Sequence, residues 1–131
     1  MRVLTRIGAF AGVAILLVLA ACESGDALGP GAAQGIDGLA LVGPQCPVET
    51  SEDPCPDLPH QAWIDVLKAD GEFVTRVQSD NDGRFRVGLR PGSYVLDPES
   101  GNPFPVASEM DVRVQEGLFT QVTVHFDTGI R

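Results

Sequence analysis

Residues 82–96 read DGRFRVGLRPGSYVL, and the fold turns on them. From Arg84 to Leu89 the side chains alternate, with Phe85, Val87 and Leu89 on one side and Arg84 and Arg86 on the other. That period of two is the signature of a half-buried strand. Asp82-Gly83 precedes the run and Pro91-Gly92 follows it. Both are turn signals, because glycine accepts φ > 0 and proline presets its own φ. Ser93-Tyr94-Val95-Leu96 then resumes as strand, so the stretch is predicted to be strand, turn, strand, with no helical period.

The same grammar extends both ways. Toward the N-terminus, Phe73–Val77 and Ala62–Leu67 flank Ala69-Asp70-Gly71, a strong hairpin signal. Ile36–Val42 is a further strand, stopped by Gly43-Pro44. Toward the C-terminus a looser stretch, Asp97 to Ser108, leads to Met110–Val114 and Phe119–Phe126, which are expected to pair across Gln115-Glu116-Gly117. Seven short strands punctuated by turns predict an all-β, seven-stranded β-sandwich. The expected inward positions are Leu39, Leu41, Ile64, Val66, Val74, Phe85, Val87, Tyr94, Leu96, Val112, Val114, Val122, Val124 and Phe126.

The Asp-Gly-x-Phe turn and strand followed by the Pro-Gly-x-Tyr turn and strand resembles the central hairpin of carboxypeptidase regulatory-like domains. The resemblance covers roughly residues 35–127. It implies a transthyretin-like (prealbumin-like) sandwich and a non-catalytic accessory role, and it identifies a scaffold rather than a chemistry. The chain departs from the family pattern in an insertion between its first two strands, which carries Cys46 and Cys55.

The first residues set the location. MRVLTRIGAFAGVAILLVLAAC has Arg2 and Arg6 ahead of an uncharged run from Ile7 to Ala21, too short for a comfortable membrane span. Leu19-Ala20-Ala21-Cys22 looks like a bacterial lipobox. Residues 1–21 are therefore expected to be a lipoprotein signal peptide, with Cys22 the lipidated residue and membrane anchor. Residues 22–34, rich in Gly and Ala, read as a flexible linker to a domain at 35–131. The expected location is the bacterial cell envelope, facing the periplasm or the exterior.

Loss of the signal removes Arg2 and Arg6 from nine basic residues and none of the 18 acidic ones, leaving 7 − 18 = −11. Such a charge argues against nucleic acid as a partner and favours solubility or a basic partner. With Cys22 lipidated, Cys46 and Cys55 are left in an oxidising compartment and are expected to pair. Closing that short loop stabilises by roughly 2–3 kcal/mol. A metal site built from Cys46, Cys55 and His60 matches no zinc spacing, so neither metal nor other cofactor is expected.

The segment CPVETSEDPCPDLPH, residues 46–60, concentrates the candidate binding residues Glu49, Glu52, Asp53, Asp57 and His60, with Trp63 just beyond. Proline and a crosslink reduce the entropy a loop loses on binding. The segment has two readings: a recognition loop, or a clip supplementing a small core. Trp63 likewise has two: an exposed anchor, or a cover for the sandwich end.

Three other motifs invite chemistry. Asp127-Thr128-Gly129 matches the tripeptide of aspartic proteases, but those enzymes need two carboxylates sharing a proton, and here the triplet continues an alternating strand. Asp80-Asn81-Asp82-Gly83 looks like half a calcium loop, yet an EF-hand frame would place Gln78 first and Leu89 last, where acids are required. His60 and His125 stand in no recognisable catalytic spacing. No catalytic residues are assigned. The expectation is a non-enzymatic envelope lipoprotein whose loop meets a protein or cell-wall partner. The alternatives are a protease inhibitor acting through 46–55 and a carbohydrate-binding module.

Overall fold

A computed structural model describes residues 25–131. The expected signal peptide and the lipidation site Cys22 lie outside the described residues. Nine strands follow one another: β1 (Ala27–Leu28), β2 (Gly35–Gly43), β3 (Leu58–Pro59), β4 (Trp63–Lys68), β5 (Phe73–Gln78), β6 (Arg84–Leu89), β7 (Gly92–Pro98), β8 (Met110–Val114) and β9 (Phe119–Asp127). Two of them, β1 and β3, are two-residue pieces; the other seven are the expected ones within a residue or two at each end.

The strands form a sandwich of two sheets. In the first, β2 is flanked on one side by antiparallel β6 and, further along, by β3. On its other side runs β9, parallel to it from Gly35↔Phe119 to Gly43↔Asp127. β1 pairs with the outer edge of β6 at Gly88 and Leu89. The second sheet is antiparallel throughout, in the order β5-β4-β7-β8. Between the sheets lie Ile36, Ala40, Phe85, Leu89, Val124 and Phe126 from the first and Ile64, Val66, Tyr94, Leu96, Val112 and Val114 from the second.

Three expectations are corrected. In β2 the inward residues are Ile36, Gly38, Ala40 and Val42, not Leu39 and Leu41, which are half-exposed on the outer face. Gly38 has no side chain because the Phe85 ring fills the space a Cβ would need. The bulky aromatic on β6 and the small residues on β2 divide one volume, so apolar size alone points to the wrong face.

Second, β6 and β7 do not form a hairpin. β6 lies in the first sheet and β7 in the second, and Arg90-Pro91 carries the chain between them. The crossing is braced by Tyr94, whose buried ring points inward and whose hydroxyl donates to the Arg90 carbonyl at 2.6 Å. Third, β8 and β9 do not pair: β8 hydrogen-bonds β7, and β9 hydrogen-bonds β2. A turn signal reports that a chain reverses, not whether it stays in the same sheet.

The segment read as a linker is described from Gly25 onward. There the Asp26 carboxylate lies 2.8 Å from Lys68 Nζ, the Asp26 carbonyl accepts from Arg90 N at 2.9 Å, and β1 follows directly. This stretch lies against the sandwich.

The β5–β6 crossing is held by Ser79, a buried polar residue. Its Oγ accepts from Ala62 N at 2.8 Å and donates to the His60 carbonyl at 2.7 Å, while its own N–H donates to the Ala62 carbonyl at 2.9 Å. Ser79→Ala strands a donor and an acceptor in the interior. It is expected to cost about 1–3 kcal/mol, measured by urea unfolding.

Candidate functional site

The 46–60 loop leaves β2 at Gly43 and returns to it within the same flank. Cys46 and Cys55 are bonded, with Cα atoms 6.0 Å apart. Inside the ring, Thr50 and Asp53 close a turn: Asp53 N donates to Thr50 Oγ1 at 3.0 Å and Thr50 N to the Asp53 carbonyl at 3.3 Å. Beyond the ring, Leu58 and Pro59 pair with Val42 and Leu41, and His60 N donates to the Ala40 carbonyl at 3.0 Å. The absent side chain at Gly43 makes room for the Asp57 carboxylate, whose Oδ2 is 3.4 Å from His125 Nδ1 on β9. The loop is thus crosslinked at its tip and stitched along its base.

The candidate residues divide between tip and base. Glu49, Glu52 and Asp53 are exposed at the tip, beside Val48, which is 75 % exposed. Asp57 and His60 belong to the base. The His60 ring meets Phe126 edge-on, centroids 4.6 Å apart, and burial pushes its pKa below the ordinary value. Trp63 lies outside the core on the second sheet, 43 % exposed, with the Arg76 guanidinium 5.0 Å from its centroid. Arg76 in turn pairs with Glu99 and lies 3.4 Å from Asp65. Of the two readings of Trp63, exposure holds. A shallow cleft of about 260 Å³ separates Trp63 and His60 from the 99–105 stretch.

Asp127-Thr128-Gly129, which sequence spacing could only liken to a protease motif, closes this same end. Asp127 and Val106 exchange backbone hydrogen bonds of 2.7 and 3.0 Å. Thr128 N donates to the Gly43 carbonyl at 3.0 Å and Thr128 Oγ1 to the Pro44 carbonyl at 2.6 Å, so the triplet pins the root of the disulfide loop. Gly129 adopts φ +79° with the Phe104 ring where a Cβ would stand. The Asp127 carboxylate accepts from the two terminal guanidinium nitrogens of Arg131 and from Gly129 N, and these bonds pull its pKa down to about 2. A protease dyad needs a second carboxylate sharing a proton with the first; the partners of Asp127 are instead a guanidinium and a backbone N–H.

The acidic turn is also structural. Asp80 Oδ1 accepts from Asp82 N and Arg84 N, both at 2.9 Å, and Gly83 takes φ +77° over the Ala40 carbonyl. Among the described residues no three His, Cys, Asp or Glu side chains are grouped to hold a metal. The exposed aromatics of the β4–β5 ladder do not form a row: Trp63 faces Gln78 at one end, Phe73 faces Leu67 at the other. The Asp57–His125 and His60–Phe126 contacts join residues distant in the chain, and sequence spacing carries no signal for either.

Solved structures that resemble this one include two bacterial proteins. The minor pilin of the gram-positive pathogen Streptococcus agalactiae superposes with a TM-score of 0.55 at 16% identity, over 72% of this chain and 44% of the pilin chain. The TIE protein of Bacillus anthracis gives a TM-score of 0.48 at 16% identity, over 71% of this chain and 17% of that chain. This chain spans less than half the length of either. The pilin likeness is one of β-sandwich fold. No family model and no curated protein sequence matches the chain.

Proposed function

We propose that this chain is a non-enzymatic binding module of the bacterial envelope, anchored through Cys22 and of the carboxypeptidase regulatory-like type. It presents its disulfide-clipped end to a protein or cell-wall partner. The observation that carries the reading is the loop's construction. It is closed by Cys46–Cys55, fixed at its root by Thr128 and at its return by β3, and it turns Val48, Glu49, Glu52 and Asp53 outward. A loop held this firmly loses little entropy when a partner seats on it. The acids favour a basic counterpart, and Trp63 offers an aromatic anchor at the same end.

Crosslinking the native chain in intact envelopes, with linked peptides mapped by mass spectrometry, tests the proposal. Links from one partner concentrated on residues 46–63 are expected. Links scattered over the sandwich would reduce the loop to a structural clip.

One observation favours a second reading. Val48 stands exposed inside a crosslinked, proline-flanked loop, the form of an inhibitor loop offering a small apolar side chain to a protease pocket. Inhibition of a serine protease that disappears on reduction of Cys46–Cys55 would select it; silence across a panel of serine and cysteine proteases would remove it.

A further inference from the structure

Among the described residues the first sheet ends on β9, and that edge is open. The backbone N–H and C=O of Asp127 point away from β2, toward Val106, whereas Thr128 N points toward β2 and bonds Gly43. Strand geometry alternates, so Phe119, Gln121, Thr123 and His125 share the direction of Asp127. Within the described residues β9 pairs only with β2 along this stretch, leaving those four residues with a donor and an acceptor each at the sheet's rim. The side chains of Gln121, Thr123 and His125 are exposed.

Protein edges are normally protected by charge, proline or a bulge. β5 carries Arg76 and meets a bulge in its ladder with β4, and β8 carries Asp111 and Arg113. From Phe119 to Phe126 there is no Asp, Glu, Lys, Arg or Pro, and the register with β2 is unbroken. This neutral edge belongs to a chain of net charge −9. The acids nearest the edge are engaged within the chain, Asp37 by Gln121 and Arg86 and Asp57 by His125, so a basic partner would find none free there. A second copy of the same strand would find no like charge to repel it.

We propose that β9 pairs antiparallel with β9 of a second copy of this chain, joining two first sheets into one. An antiparallel pair of identical strands has two-fold symmetry, which satisfies both edges at once. With the axis beside Val122, Gln121 faces Thr123 of the other copy and Phe119 faces His125. In that register all four outward N–H and C=O pairs find partners. The pairing is independent of whether the 46–60 loop binds anything. Because the rest of the surface is acidic, it should strengthen as salt screens the repulsion between copies.

The test places a photo-crosslinking amino acid at Thr123 of the full chain expressed in cells. Irradiation is expected to give a band of twice the mass, with linked peptides joining position 123 to residues 119–125 of a second copy. Gln121→Pro removes an outward N–H that β2 does not use, a change edge strands tolerate, and should lower that band at least tenfold. Retained protease resistance shows that this variant is folded; if it is not, the linked peptides of the chain with Gln121 intact decide alone. A link to another protein, links elsewhere on the second copy, or no link at all would overturn the proposal.

Discussion

Gly38→Ala is expected to destabilise the domain by about 2–3 kcal/mol, at the upper end of what overpacking a core costs. Replacing glycine by alanine in an unstrained strand ordinarily stabilises by about 0.4–1 kcal/mol, through the unfolded chain. Here the added methyl lands in the Phe85 ring, which sits between the sheets and is 4 % exposed. The ring has the β2 backbone on one side and the opposing sheet on the other, so it must leave its rotamer. The explanation is checked by a double-mutant cycle in chemical denaturation. Phe85→Ala alone should cost about 3–5 kcal/mol, and in its presence Gly38→Ala should become neutral or favourable. A penalty that persists without the ring would place the strain elsewhere.

Phe126→Ala is expected to cost about 3–5 kcal/mol. Phe126 is the largest of the fully buried side chains and lies at the last inward position of the last strand. It also touches His60, which gives the substitution a second readout. Burial holds the His60 pKa below its ordinary value, so the unfolded chain binds the proton more readily. Stability from this source is present above the ordinary histidine value of about 6.5 and is lost as pH falls through the lower folded value. Removing the Phe126 ring admits water to the imidazole. The His60 titration, followed by NMR, should then move up toward the ordinary value, and the slope of stability against pH between about 5 and 7 should flatten. An unchanged titration would mean that His60 owes its environment to other groups.

Much of the fold was legible because most of these strands carry an audible alternation. Period alone places Phe85, Tyr94, Leu96, Val112, Val114 and Val124 inward, and all are buried. β2 failed for a physical reason: Ile36-Asp37-Gly38-Leu39-Ala40-Leu41-Val42 puts its smallest residues on the buried face, where a partner's bulk compensates. Reading such a strand requires knowing what faces it. The hairpins failed differently. Pro91-Gly92 and Gln115-Glu116-Gly117 reverse the chain whether the next strand joins the same sheet or the opposite one. What decides is the partner available at long range: β7 for β8, and β2 for β9. At the candidate site the disulfide was legible from cysteine count and the expected compartment. The fastening of its loop was not. The bonds from Thr128 to Gly43 and Pro44 span more than eighty residues, and no local pattern announces them.

The parallel pairing of β2 with β9 also governs how the domain bears load. β2 enters the sheet at Gly35 and β9 leaves it at Asp127, and the ladder joins Gly35 to Phe119 at one end and Gly43 to Asp127 at the other. A pull on the two ends of the chain is therefore applied at opposite ends of the same ladder, along the strands. The hydrogen bonds are strained together, in shear, instead of being peeled one after another as in a hairpin pulled at its open end. A domain held through its N-terminus and tugged at its C-terminus would resist as a single mechanical unit, with β2 and β9 as its clamp.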